Sequence, residues 1–495
     1  MSVTAEATRT GTRLPTRWLI LGVICLAQLT VVLDNTVLNV AVPSLTRELG
    51  ATTADVQWMI NAYSLVQSGL LLAGGSAADR YGRKKMLLTG LALFGIGSLA
   101  AGLAGSTGEL IAARAGMGVG GALLLTTTLA VVMQVFDAEE RLRAIGIWAA
   151  VNALGFAAGP LIGGLVLDHF RWGAIFLINI PVVLLGLVAA WKLVPESRNP
   201  DGHRPDVPGA LLSTVGMSAV VFAVVSGPEH GWGTARVLLP ALGGVLVLGA
   251  FALWESRVPH PMLDMGFFRD RRFVGAVVGV VLITFGSAGA LFLLSQQLQF
   301  VRGYSPLEAG LRTAPFALTV VALNFTGIST RLLRRLRLPL AVAVGVSLLA
   351  AGFAVVAAFA SDGYGVLLLG LVLMGTGCAL ANPAIAEAVM GAIPPEKAGA
   401  GAGVDGTMSE LGGSLGVAVL GAVMNSRFTA LLPAAATGTA SLPAALAAAP
   451  TEADRSAVID AFASGVETSQ LAGAGVVLLG GCASAWLLRR AAAAT

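Results

Sequence analysis

Long apolar runs alternate with short polar stretches along almost the whole chain, and most of the runs are longer than the core helix of a soluble domain needs. About 20 apolar residues wound as helix cross the roughly 30 Å hydrocarbon layer of a bilayer. Fourteen runs reach that length, at 18–42, 55–78, 86–104, 109–135, 144–167, 173–191, 208–226, 236–254, 273–298, 308–328, 338–360, 364–390, 401–425 and 469–487. Inside a bilayer every backbone N–H and C=O must be satisfied within the chain, so such runs are helices. The pattern predicts an all-α membrane protein with fourteen transmembrane helices. One long gap interrupts it, at 426–468. That gap starts Pro/Ala-rich and then reads TEADRSAVIDAF, a capping-box opening, which predicts a spacer carrying a short surface helix. The first run follows Arg9, Arg13 and Arg17, but it is too long for a signal peptide and contains Asp34, which predicts a retained first helix.

The polar stretches carry a topology. Loops on one side hold 23 of the 31 Lys and Arg residues, among them Arg80, Arg83, Lys84, Lys85, Arg204, Arg331, Arg335 and Lys397. Basic residues mark the cytoplasmic side, so both termini are expected in the cytoplasm. Trp18, Trp58, Trp172, Trp191, Trp232, Trp254 and Trp486 fall at or just beyond run ends, where an interfacial aromatic belt would place them. Composition agrees: 56% hydrophobic against 12% charged residues leaves too little polar surface for a soluble protein of 495 residues. The 63 glycines predict close helix packing. A formal charge of +4 does not point to nucleic acid, because the cations sit in short clusters between apolar runs. Cys25, Cys378 and Cys482 all lie inside apolar runs without CxxC spacing, so neither a disulfide nor a metal site is expected.

Several stretches carry more than topology. Residues 75–85, GSAADRYGRKK, follow the pattern Gly-x-small-small-Asp-Arg-x-Gly-Arg-Lys and resemble the cytoplasmic-loop signature of the major facilitator superfamily. Here Gly75 and Gly82 permit close approach and a tight turn, and Asp79 is placed to cap the next helix and to pair with Arg80 or Arg83 as the halves close. LDNTVLNVAVP at 33–43 is similar to the first-helix motif of the superfamily's fourteen-helix drug:proton antiporter branch. LIAARAGMGVGGA at 110–122 resembles its fourth-helix motif, with Arg114 in the place of the motif's arginine and Met117 where a Gln is usual. GFAAGPLIGG at 155–164 resembles the fifth-helix signature associated with antiport. In it Gly155, Gly159 and Gly163 recur every four residues on one helix face, followed by Gly164, while Pro160 frees a backbone carbonyl. FRWGAIFLINIP at 170–181 fits the same branch. GISTRLLRRLR at 327–337 reads as an altered copy of the first loop motif, with Arg331 at its Asp, and VDGTMSELGGSLGVAVLG at 404–421 resembles the thirteenth-helix stretch, with Ser409 where relatives carry Arg.

The resemblance implies a major facilitator fold with two six-helix halves plus two extra central helices. The expected division is a cytoplasmic N-terminus at 1–17, an N-terminal half at 18–191, and a linker with two extra spans at 192–272. A C-terminal half follows at 273–487, with the extracellular loop 426–468 inside it, and a tail at 488–495. Ionised groups at mid-bilayer cost several kcal/mol unless paired or wet, so buried charges are the best site indicators. Asp34 lies sixteen residues past Trp18, about 24 Å along a helix at 1.5 Å per residue, in the outer half. Glu410 lies near mid-depth, with Asp405 and Glu387 nearer the cytoplasmic mouth. These four acids are the candidate proton carriers, since His169, His203, His230 and His260 fall at run ends or in loops. Arg114 is their candidate partner. Glu308 and Arg312, at i and i+4, read as a structural ion pair. Asn39, Asn61, Gln67, Asn152, Asn179, Gln296 and Gln297 are candidates to line a cavity or to bond across helices.

No GxxxxGK[ST] phosphate cradle occurs, so transport is expected to draw on an ion gradient, without a cofactor and without an enzymatic activity. The expected function is proton-coupled export of hydrophobic or cationic small molecules from a bacterial inner membrane by a monomer. Two alternatives share part of the pattern: an exporter dedicated to one endogenous metabolite or self-made antibiotic, and a membrane sensor that does not transport.

Overall fold

A computed structural model of the chain describes residues 14–198, 205–259, 261, 263–358, 363–392, 398–439 and 441–492. Arg9, Arg13, Arg204, Lys397, His203 and His260 lie outside the described residues. Among those described every regular element is helical. The chain opens with α1 (Leu14–Leu49), α2 (Thr53–Tyr81), α3 (Arg83–Leu103), α4 (Thr107–Val135), α5 (Ala138–His169) and a broken span, α6 (Ala174–Leu177) and α7 (Asn179–Leu193). These pack on one another as an N-terminal bundle. Two further helices follow, α8 (Val207–His230) and α9 (Ala235–Glu255). A C-terminal bundle contains α10 (Arg271–Gln296), α11 (Pro306–Phe325), the short basic α12 (Ile328–Arg335), α13 (Leu338–Ala358), α14 (Tyr364–Gly391), α15 (Ala398–Leu431), α16 (Leu442–Ala448) and α17 (Glu452–Ala492).

The helices begin where local chemistry lets them. Thr52 and Asp55 form a reciprocal capping box at α2, Ser305 and Glu308 do the same at α11 with Pro306 in the first turn, and Ser106 and Asp206 cap α4 and α8. Each cap satisfies amide donors that a helix start leaves unpaired. Among the described residues eleven helical segments are long and apolar enough to cross a bilayer. Three of the expected fourteen are not among those eleven. With 29, 32 and 20 residues, α2, α5 and α11 have the length; α2 and α11 are the more polar, with Gln57, Asn61 and Gln67 in α2 and Arg312 and Asn324 in α11. These three helices form the seams between the bundles, α2 against α15 and α5 against α11, and at the first of them Gln57 Nε2 donates across to the Val417 and Ala418 carbonyls at 3.0 Å.

Two expectations need correction. The predicted spacer and surface helix at 426–468 are largely absorbed into longer helices: α15 runs to Leu431, and TEADRSAVIDAF is the start of one unbroken 41-residue α17. Val458, Ala461, Phe462 and Val466 give that extension a buried face, with Phe462 edge-on to Phe428 at 5.4 Å and to Phe300 at 5.7 Å. Trp172 also departs from the expected belt. It is buried and meets Phe176 edge-on at 6.4 Å, whereas Trp191, Trp232, Trp254 and Trp486 are exposed near helix ends.

The bundle has a basic end, with Arg17, Arg80, Arg83, Lys84, Lys85, Arg489 and Arg490, and a far end. At the far end the two bundles are closed on each other. Gln299 Nε2 donates to the Val40 carbonyl at 2.9 Å, and Ser295 Oγ donates to the Asn39 carbonyl. A Cβ on Gly164 would stand 2.7 Å from the Pro306 carbonyl oxygen, and one on Gly310 would run into the Pro160 carbonyl. The space left among Thr36, Asn39, Pro160 and Ser295 is ≈ 10 Å³, about one water.

Candidate functional site

In the middle of the N-terminal bundle, five spans converge on two charges. Asp34 on α1 and Arg114 on α4 form an ion pair through Arg114 Nη1 and Asp34 Oδ2, with both side chains 1% exposed. Arg114 Nε donates to the Met59 carbonyl on α2 at 3.0 Å. Its guanidinium lies 4.4 Å from the centre of the Tyr63 ring and 6.0 Å from that of Phe176 on α6. Such rings attract a cation through their negative faces. Asn179 on α7 donates through Nδ2 to Asp34 Oδ1 at 3.4 Å and to Ser98 Oγ on α3 at 3.2 Å. Ser98 Oγ donates to Met117 Sδ at 3.9 Å. The Met at position 117 thus leaves Arg114 with partners: the carboxylate, a backbone carbonyl and an aromatic face.

A pair so deeply buried stands only while both members are present. Desolvation costs each ion several kcal/mol, and mutual attraction plus added hydrogen bonds must offset it. Arg supplies this better than Lys, because its planar fork splits donors between Asp34 and Met59. Protonating Asp34 would remove the counter-charge and leave a buried cation to find another.

On the other bundle Glu410 of α15 lies beside Ser64 of α2 and within electrostatic reach of Arg114 and Tyr63. Asp405 lies further toward the basic end of α15 and is partly buried. Glu387, on α14, is exposed and joins neither group. Among the polar candidates, Asn179 belongs to the central network. Asn152 Oδ1 accepts from Gln28 Nε2 at 2.7 Å, and Gln28 Oε1 accepts from Thr128 Oγ1 at 3.3 Å, a second polar link across α1, α4 and α5. Gln297 Oε1 accepts from Gln470 Nε2 at 2.9 Å. Asn39 donates within α1 to the Asn35 carbonyl at 3.2 Å. Asn61 and Gln67 are wholly buried, and their amide atoms have no hydrogen-bond partner among the described residues; Gln296 Nε2 is in the same position. Glu308 and Arg312 face each other at 3.9 Å on the surface.

The α5 glycines make a seat for α1. A Cβ at Gly155 would stand 3.0 Å from Leu29 and Val32, one at Gly159 would run into Thr36, and one at Gly163 would stand 2.9 Å from Val37. Gly164 turns instead to α11. The loop motif at the basic end keeps the expected Asp79–Arg83 pair but not the expected cap. Asp79 accepts from Arg83 Nη2 at 2.8 Å and caps nothing at α3. Glu196, after the sixth span, takes that place: its Oε1 accepts from the Lys84 amide at 3.2 Å, at a helix start that favours negative charge. Gly82, at φ +113°, lets the carboxylate in, since a Cβ there would stand 2.6 Å from Glu196 Oε1. Arg83 N donates to the Ser197 carbonyl at 2.9 Å and Lys84 Nζ to the Trp191 carbonyl at 2.6 Å. Gly75 faces Thr126 loosely, and Arg80 is half-buried.

Sequence reasoning missed Tyr63, Ser98, Phe176, Glu196 and the Gln28 link. Tyr63 alone left a trace, as a tyrosine two residues from Asn61 and four from Gln67 in mid-run.

The chain is 35% identical over 430 residues to the multidrug efflux pump LfrA of Mycolicibacterium smegmatis, covering 86% of this chain and 84% of that protein. It is 38% identical over 426 residues to the puromycin resistance protein pur8 of Streptomyces alboniger, covering 84% of each. Its fold is similar to the crystal structure of a bacterial homolog of the human lysosomal transporter Spinster in an inward-facing, unoccupied conformation. There the TM-score is 0.68 at 19% identity, over 97% of this chain and 98% of the other. Residues 24–417 match the model of the Major Facilitator Superfamily, and with that match the chain belongs to this superfamily of membrane transporters.

Proposed function

We propose that this protein is a proton-coupled exporter of hydrophobic or cationic small molecules, with fourteen spans in a bacterial inner membrane and both termini in the cytoplasm. The observation that carries the proposal is the Asp34–Arg114 pair, two charges held out of water where only a paired or titrating group is tolerated. The names of the efflux and resistance relatives support the direction and the class of cargo. The basic end is then cytoplasmic, and the two bundles, with α12 and α16 as short appendages, are the two six-helix halves that rock about a central site.

In this mechanism a proton reaching Asp34 releases Arg114, whose charge then draws toward Glu410 on the opposite half. That shift couples protonation to the relation between the halves. The closed far end favours access from the cytoplasm in this arrangement, and the Asp79–Arg83 loop is the inner latch. No cofactor enters; the proton gradient is the energy source, and one chain suffices. The test is growth of a pump-deficient bacterial host expressing the protein across a panel of cationic and neutral dyes and antibiotics, with and without an uncoupler. Resistance to several unrelated compounds that collapses with the uncoupler is expected. Resistance to a single compound would select the dedicated exporter, and resistance to none would count against export.

A further inference from the structure

The extra helix α8 lies along the seam where α2 of one bundle meets α15 of the other. A small apolar cluster of Leu65, Met217, Val221, Val225 and Ala418 fixes it there. Gly69 on α2 lets it come so close that a Cβ would run into the Thr214 side chain. α9 stands outside α8 and exposes Leu238, Leu239, Leu242, Val245 and Leu246. Toward the basic end, α2, α8, α9 and α15 leave a cavity of ≈ 130 Å³ between them, walled by Leu72, Met217, Leu248, Phe251, Met408 and Leu411.

The hydroxyls in its wall are already committed to backbone carbonyls. Ser68 Oγ donates to Thr407 O at 2.9 Å, Thr407 Oγ1 to Ser68 O at 3.4 Å, and Ser213 Oγ to Ala210 O at 3.0 Å. Among the described residues no charged side chain lines the space. A polar ligand would find no free donor there, whereas a dry cavity of about 150 Å³ lined by such side chains accepts benzene.

We propose that this cavity is a binding site, separate from the Asp34–Arg114 centre, for the apolar segment of a bilayer-resident molecule: one ring or a short length of alkyl chain. The chemistry is shared by lipid acyl chains and by hydrophobic compounds dissolved in the same leaflet. The wall includes the Ser68–Thr407 link between the bundles, so an occupant favours the arrangement in which that link is made.

The test uses the full-length protein in nanodiscs. One sample contains phospholipid bearing a diazirine in its acyl chain; another contains unlabelled lipid and a diazirine-bearing alkylbenzene. After irradiation, adducts are mapped by mass spectrometry. Adducts at Met217, Phe251 or Met408 are expected with at least one probe, and they should be lost in Ser213→Phe, which fills the space from within. The lipid probe alone identifies an acyl chain, and the alkylbenzene identifies a membrane-dissolved compound; either supports the site. Should Ser213→Phe fail to insert, Leu248→Trp fills the same space from the lipid-facing helix. Labelling no stronger than at exposed Leu246 with both probes, or adducts that persist in the filled variant, would overturn the proposal. The readout needs no transport, so it stands or falls apart from the export activity.

Discussion

Asp34 and Arg114 hold each other in a place where neither is tolerated alone, which makes the pair separable by mutation. Removing one partner of a buried pair strands the other at a cost of about 3–5 kcal/mol, so Arg114→Ala should lower the thermal unfolding midpoint in detergent sharply. The double variant Asp34→Asn/Arg114→Gln strands no charge and should recover most of that stability while remaining inactive in proton-driven export. If the double variant is as unstable as Arg114→Ala, stranded charge is the wrong explanation. Arg114→Lys keeps the charge but cannot serve both the Asp34 carboxylate and the Met59 carbonyl with one planar fork. Turnover in that variant should fall although the protein inserts; wild-type turnover would show that only the charge matters.

Helix contacts extend the same logic to whole elements. The α5 glycines are predicted to be intolerant of bulk because α1 and α11 occupy the space a side chain would need. Gly159→Leu and Gly164→Leu should reduce the yield of folded protein in size-exclusion chromatography, whereas Gly116→Ala, which meets nothing within 4 Å, should not. At α3, Glu196→Gln should cost about 0.5–1 kcal/mol of local stability, the scale of a charge at a helix start, visible as faster amide exchange at Lys84. Unchanged exchange would return the capping role to other groups.

Much of this level was legible from the chain alone. Apolar run length marked the helices, and the four-residue spacing of Gly155, Gly159 and Gly163 marked a packing face, because both are local properties. Asp34 and Arg114 stood out as charges in apolar runs. Their pairing was not legible, since it depends on how α1 and α4 are rotated and offset, which no local pattern encodes. Glu196 escaped for the same reason: it lies in an ordinary-looking loop and acts on a helix start more than a hundred residues earlier. The extension of α17 through TEADRSAVIDAF was hidden because polar residues ended the apolar run while Phe462 and its neighbours kept packing inside the protein.

For the whole molecule, the proposed topology places residues near Gly231 and Ala447 outside the cell and those near Gly202 inside. Membrane-impermeant thiol labelling of single-cysteine variants in intact cells should reach the first two and spare the third; labelling near Gly202 would invert or redraw the topology. Rocking of the two bundles further requires the far-end contacts, such as Gln299 to the Val40 carbonyl, to open during the cycle. The claim that joins these levels is that a proton at Asp34 drives export. It is tested most directly in proteoliposomes with an imposed pH gradient, following uptake of a lipophilic cation and the simultaneous discharge of the gradient. The wild-type protein should accumulate the cation against its gradient while dissipating the pH difference, and Asp34→Asn, inserted to the same level, should do neither. Gradient-driven accumulation in Asp34→Asn equal to the wild type would contradict it.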